Sequence, residues 1–374
     1  MAEQAVETDL IRGILHLPSE RGDGVLRDPA NLLRDLPGRN VVPRSVVDRF
    51  RLRPGVELLC DPPNKERGKS VGFIQSVDGK DPKEFSEYTS IYDSVALDPQ
   101  PQLKLEHDQK ELTTRMIDLL TPVGFGQRGL IVAPPRVGKT ILLQNIAKGI
   151  GANYPDLELF LLLVDERPEE VTDMSRNVPG TVYASSNDND TAKHLEIATL
   201  VIERAKRKVE EGKDVVVLMD SLTRLGRAFN RGSNSGRTLS GGIDSKALDI
   251  PKKLFGAARK VEDGGSLTIL ATALIQTNSR MDEVIFEEFK GTGNMELTLD
   301  RKLANDRIYP AINIQQSGTR KEELLMEPKE LEAARKIRRH LLAMPPQAAI
   351  QTLKQALEKH PNNASFYKTM LARI

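Results

Sequence analysis

Residues 130–140 read LIVAPPRVGKT. The stretch ends like a phosphate-binding loop, G-x-x-x-x-G-K-[ST], but the first glycine position falls on Ala133, followed by Pro134 and Pro135. Such a loop works only between a strand and a helix, because its N–H groups must converge on phosphate at a helix N-terminus. The flanking runs GLIV and TILLQNI supply both. Alanine can hold the first position provided its φ is negative. The two prolines stiffen the loop and remove two N–H donors. Nucleotide contacts are therefore expected from Arg136, Val137, Gly138, Lys139 and Thr140, with those to phosphate concentrated on the last four. Lys139 would reach the β/γ-phosphates of ATP, and the Thr140 hydroxyl would hold Mg²⁺.

Around this loop, apolar strands alternate with helices. RGLIVAPP, LELFLLLVD, TVYASS, DVVVLMD and SLTILATALI read as strands, several of them apolar without alternation. KTILLQNIAKGI, RPEEVTDMSRN and DTAKHLEIATLVIERAKRKVEEG read as helices, and KELTTRMIDLLTP as an amphipathic one. That pattern predicts a mainly parallel sheet covered on both faces, an α/β fold with a ligand crevice at the C-terminal strand ends. The last fifty residues read as helical. Before residue 104, short runs such as GILHL, GVELLCD and SVGFIQSV between glycine turns suggest a small β-barrel of OB type. LDPQPQLKLEHD reads as a linker. The expected division is a barrel and linker over 1–103, and an ATPase domain with a helical tail over 104–374.

With 54 basic and 53 acidic side chains the chain has almost no net charge, so nucleic-acid contact must come from local basic loops. One cysteine, Cys60, excludes an intramolecular disulfide and a cysteine zinc cluster, and fits a reducing compartment. No run approaches the roughly 20 apolar residues of a spanning helix. The expected location is cytoplasmic, with no membrane partner.

Two carboxylates complete the nucleotide reading. Asp220 ends the strand DVVVLMD, where a Walker-B aspartate would hold Mg²⁺. Glu166, in LLLVDERPEEV, lies just past a buried strand and could polarise the attacking water. Helix capping ahead of Pro168 is the alternative for Asp165 and Glu166.

Taken together, RGLIVAPPRVGKT, DERPEEVTDM, LMDSLTRLGRAFN, LSGGIDSKAL, LFGAARKVEDGGSLTILATALI, EEFKGTGNMEL and SGTRKEELL resemble the Rho family of bacterial transcription termination factors, ring-shaped RNA-dependent ATPases of RecA-like fold. The likeness is close from about residue 104 to the mid-320s, and in that family APP normally replaces the first glycine. It implies a homohexamer with active sites between subunits. Lys139 and Thr140 would serve phosphate and Mg²⁺, Asp220 the Walker-B position and Glu166 catalysis. Arg167 would sense the γ-phosphate. Arg320 would be the arginine finger reaching the neighbour's nucleotide, worth roughly 10³-fold or more in rate. Arg307 would be a further arginine of the intersubunit site, and Tyr309 the aromatic stacked on adenine. Pairing of Arg320 with Glu322 or Glu323, and a core position for Tyr309, stay open as alternatives.

The resemblance also implies two RNA-contacting pore loops. One spans residues 230–244, with Arg237, Thr238, Ser240 and Gly241 as contacts; the other carries Lys290 and Gly291 as a mobile basic tip. Partners by resemblance are single-stranded RNA, RNA polymerase and its elongation factors.

The N-terminal hundred residues depart from the family. Where its barrel carries GFGFLR, this chain has GDGVLR over 22–27, with Asp23 and Val25 at the aromatic positions. Stacking is worth about 1–3 kcal/mol per base, so a weak or absent primary RNA site is expected. No helical subdomain is expected ahead of the barrel. A ring ATPase of the rotary or export kind, or a regulatory RNA-binding ring with little termination activity, are the rival readings.

Overall fold

The computed structural model describes residues 10–36, 38, 40–63, 68, 70–85, 88–233, 238 and 240–372. In the N-terminal part, β1 (Ile11–His16), β2 (Gly24–Asp28), β3 (Asn31–Asp35), β4 (Val41–Val42), β5 (Glu57–Cys60) and β6 (Ile74–Val77) form one antiparallel sheet in the order β3-β2-β1-β5-β6, with β4 on β2. The Val71 N–H donates to the Val41 carbonyl at 2.9 Å, joining the two sides of the sheet and curling it into a small barrel. Leu15, Leu26, Val42, Leu58 and Ile74 fill it. Two short helices, α1 (Arg44–Arg49) and α2 (Pro82–Phe85), flank the barrel.

The remainder is built on a nine-stranded sheet. Its strands are β7 (Ala96–Leu97), β8 (Arg128–Ala133), β9 (Glu158–Glu166), β10 (Thr181–Ser186), β11 (Asp214–Asp220), β12 (Arg259–Val261), β13 (Ser266–Leu274), β14 (Met295–Thr298) and β15 (Gly318–Thr319). The order β10-β9-β11-β13-β8-β14 is parallel throughout, and β15 adds antiparallel to β14. Helices α3 (Leu112–Leu120), α4 (Lys139–Asn153), α5 (Pro168–Asn177), α6 (Thr191–Glu210), α7 (Leu222–Gly232), α8 (Asp249–Phe255), α9 (Arg280–Lys290) and α10 (Arg301–Asn305) cover it. Strand residues alternate between two cores: Ile131, Leu161 and Leu218 face one, Leu130, Leu162 and Val217 the other. This is why the strands read as unbroken apolar runs. Among the described residues no helix is long and apolar enough to cross a membrane.

The expected linker is packed, not free. Leu103 and Leu105 are fully buried, and the Leu105 and Glu106 N–H groups donate to the Asp118 carboxylate of α3. Burial pushes that carboxyl up to about 7, against the pull of the two N–H groups. Beside it, the buried Arg115 donates to the Gln109, Leu357 and His360 carbonyls and pairs with Glu106 at 3.1 Å. Of the C-terminal helices α11 (Pro328–Leu342), α12 (Pro346–Glu358) and α13 (Asn363–Ala372), Arg115 thereby ties down the end of α12 and the start of α13. Arg115→Ala strands Glu106 and these carbonyls, and is expected to cost about 3 kcal/mol, read as a lower urea midpoint. An unchanged midpoint would show that the tail is held elsewhere.

The barrel is seated on α6. Arg204 donates to the Gly55 carbonyl at 3.2 Å and to Asp78, Arg53 pairs with Glu210 at 2.8 Å, and Arg27 pairs with Glu196. Gly55 has φ +88, and a Cβ there would lie 2.5 Å from the Arg204 nitrogen, so only glycine permits the approach.

Candidate nucleotide site

The phosphate-binding loop joins β8 to α4 as its sequence requires. Gly138 caps α4 with φ 89 and ψ 21, and Arg136 has φ 65. Ala133 ends β8 without a left-handed backbone, which is how alanine replaces the first glycine. Left-handed residues on either side of Val137 form a nest of inward N–H groups, continued by the free N–H groups at the start of α4. Lys139 and Thr140 are the first two helical residues, while Arg136 is exposed and Val137 buried.

Parallel pairing brings the two carboxylates beside the loop. The Lys139 ammonium is 2.5 Å from Asp220 Oδ1 and 3.7 Å from Glu166 Oε1. Thr272, from β13, donates its hydroxyl to Asp220 Oδ1 at 2.7 Å. Arg224, one turn into α7, sets its Nε 3.0 Å from Glu166 Oε1. Its N–H does not aim at that oxygen, so Glu166 Oε1 is buried without a hydrogen-bond donor among the described residues. Burial, then the Asp220 charge, raise the Glu166 carboxyl to about 7, against Lys139 and Arg224. Asp165, with φ 57, faces His194 and Arg231, and shares Arg224 with Glu166. Arg167 precedes Pro168 at the start of α5 with its side chain 65% exposed.

An apolar cleft of about 410 Å³ opens next to the loop, lined by Thr113, Gly138, Ile141, Leu299, Tyr309 and Ala311. Ile141 is 63% exposed and Tyr309 38%, which leaves apolar surface for a flat ligand and removes Tyr309 from the core. The Tyr309 ring lies 3.5 Å from where a Gly138 Cβ would be. Arg307, φ 57 and exposed, stands two residues before it. Clefts of about 620 and 650 Å³ lie away from these groups, one by Glu210, the other between β3 and β10.

Arg320 is at the opposite end of the sheet. Its N–H donates to the Asn294 carbonyl, next to Arg128 at the start of β8. It makes no ion pair among the described residues; Glu322 and Glu323 pair with Arg335. Lys290 and Arg320 line one cleft of about 300 Å³. Lys290 is the last residue of α9 and Gly291 its cap, so the expected mobile tip is the end of a helix, turned by Thr292 and Gly293 N–H bonds to Phe289. Thr238 bridges to Asp244, and Ser240–Gly242 make a tight turn in which left-handed Gly241, φ 75, lies against Arg280 of α9. The described parts of the two loops thus lie at opposite ends of α9, with Gly241 against its first residue and Lys290 its last. Arg237 lies outside the described residues. In the barrel, Asp23 accepts the Arg44 N–H at 2.8 Å, a local role in place of an aromatic.

Sequence reading missed Thr272 and Arg224. Their signals are a polar residue inside an apolar strand and a cation in the first turn after a strand-ending aspartate.

The model of the ATP synthase alpha/beta family, nucleotide-binding domain, matches residues 113–319. Transcription termination factor Rho of Cereibacter sphaeroides is 48% identical over 366 residues, covering 96% of this chain and 86% of that protein. The Bacillus subtilis factor of the same name is 48% identical, covering 97% and 86%, and that of Neisseria gonorrhoeae 45%, covering 97% and 92%. Among solved structures, an ATPase of a bacterial type III secretion system superposes with TM-score 0.63 at 22% identity, over 74% of this chain and 85% of that one. The ATP synthase subunit NeqB gives 0.62 at 14%, over 75% and 78%.

Proposed function

The chain belongs to the transcription termination factor Rho family and is an ATP-hydrolysing enzyme, and we propose that it works as a homohexameric translocase. In this reading it moves 5′→3′ on nascent single-stranded RNA and releases it from RNA polymerase. The observation that carries the reading is the separation of Arg320 from the loop. Arg128 and Ala133 are five strand steps of about 3.3 Å apart, so Arg320 lies far from its own nucleotide and free for a neighbour's.

Within one subunit, the nest over 136–138 and the start of α4 bind the phosphates, Lys139 neutralises charge on them, and Tyr309 stacks on adenine. Glu166 accepts the proton of the attacking water. The donor set of the Thr140 hydroxyl and Asp220 carboxylate is all oxygen, which fits Mg²⁺ with several retained waters. That ion, when bound, supplies charge stabilisation on the β/γ-phosphates. Arg167 then senses the γ-phosphate, Arg307 is a further arginine of the intersubunit site, and Arg320 reaches the nucleotide of the neighbouring subunit. Thr238, Ser240, Gly241, Lys290 and Gly291, with Arg237, face RNA in the pore; one basic tip per subunit suffices when a ring repeats it.

The test is steady-state ATPase of the purified protein with Mg²⁺, with and without poly(C) or poly(U). Stimulation by RNA is expected even though GDGVLR replaces the barrel aromatics. Equal activity without RNA would favour the export and rotary kind of ring.

A further inference from the structure

The turn that carries Tyr309 is held from behind by a C-terminal helix. After α10 the chain turns on the Arg307 and Ile308 N–H groups, which donate to the Ala304 and Leu303 carbonyls at 3.0 and 2.9 Å. Ile308 is buried in the same core as Ile350, Leu353 and Leu357 of α12. Two side chains of α12 reach past that contact to the turn. Lys354 Nζ donates to the Tyr309 carbonyl at 2.8 Å, and Gln347 Nε2 to Asp306 Oδ2 at 3.4 Å. The two residues are about two turns apart, so they share one face of the helix. They grip the turn at both ends, with Arg307 between. The Lys354 ammonium makes no ion pair among the described residues, and its charge is directed at this carbonyl. A bond from a charged donor is stronger than a neutral one. Held this way, the Tyr309 backbone keeps the ring beside Gly138 and Ile141, in the wall of the apolar cleft. The phenol itself adds only a long contact, 3.4 Å from its hydroxyl to the Ala304 carbonyl.

We propose that Lys354 is a positioning residue for the base of the nucleotide: from α12 it fixes the Tyr309 ring at the cleft, and so ties ATP affinity to the docking of that helix. This rests on the reading that Tyr309 stacks on adenine. A ring that is free to swing must be ordered when the base arrives, and part of the stacking energy is lost in ordering it. Lys354 orders the ring in the folded chain, before ATP binds. Because it acts through the Tyr309 backbone, its effect follows the base. The triphosphate is left to the loop and Lys139.

The experiment compares Lys354→Met and Lys354→Arg in the full chain, by ATP hydrolysis and by equilibrium ATP binding. Methionine keeps the apolar stem and removes the donor; arginine keeps a charged donor. Lys354→Met is expected to raise the KM and the Kd for ATP about tenfold, with kcat at saturating ATP and the urea midpoint little changed. Lys354→Arg is expected to restore most of the affinity. Inorganic tripolyphosphate, which has no base, should inhibit the wild type and both variants alike. In the Tyr309→Ala background, Lys354→Met should add almost nothing, because the ring it positions is gone. A wild-type KM in Lys354→Met overturns the proposal. So does an equal weakening of ATP and tripolyphosphate, which would mean that the ammonium acts on phosphate through its charge. Should methionine lower the urea midpoint, Lys354→Ala, a stronger helix former, gives the same comparison. Tyr309→Ala alone separates the two readings. If it leaves the Kd for ATP unchanged, the stacking role falls and the positioning role with it. If it weakens ATP while Lys354→Met does not, only the positioning role falls.

Discussion

Arg320→Ala is expected to lower ATP turnover about 10³-fold while ATP binding stays close to wild type. The loss equals about 4 kcal/mol of transition-state stabilisation. Binding survives because the loop, Lys139 and the Tyr309 cleft lie at the other end of β8, beyond the reach of this side chain. The guanidinium has no ion-pair partner among the described residues, so its removal leaves no stranded carboxylate and the fold is spared. A mixing experiment separates action across subunits from action within one. Lys139→Ala chains keep the finger and lose the phosphate lysine; Arg320→Ala chains do the reverse. Mixed rings should regain activity that neither variant has alone. Failure to regain it, with mixed assembly verified, removes the assignment of Arg320 to the neighbour's site.

Glu166→Gln is expected to lower kcat by about 10³-fold, within the range for losing a general base. Glutamine has nearly the same shape and preserves contact with Arg224, but cannot accept a proton. The raised carboxyl gives a second readout. Below about 7 Glu166 is protonated and neutral, so kcat/KM should fall about tenfold per pH unit on the acid side. Above that value the carboxylate is present and the profile flattens. Glu166→Gln should lose this limb along with its activity. Retention of the limb in the variant would assign it to another group.

The sheet was legible because its central strands are buried on both faces and read as unbroken apolar runs, while the edge strand TVYASS was marked by β-branched and aromatic residues between turns. TVYASS and DVVVLMD correspond to β10 and β11 residue for residue. β14 and β15 were not legible: four and two residues carry no periodicity, and they exist through pairing with β8 and with each other. The linker reading failed because prolines signal an extended chain but not whether it is docked; Leu103 and Leu105 settle that by burial. In the site, Lys139, Glu166 and Asp220 could be named because each sits at a strand end, where parallel topology gathers residues. Thr272 and Arg224 approach them only through tertiary packing. Asp23 shows the opposite limit. In the sequence it stands only for a lost aromatic, while in the structure its carboxylate accepts the Arg44 N–H.

The seat of the barrel on α6 has a mechanical meaning. Arg204, Arg207 and Glu210 are buried in that contact and are screened little by salt. The barrel is thus a fixed post and not a swinging arm. A force applied to the barrel therefore passes directly into α6 and the sheet beside it, with no hinge between them to take it up.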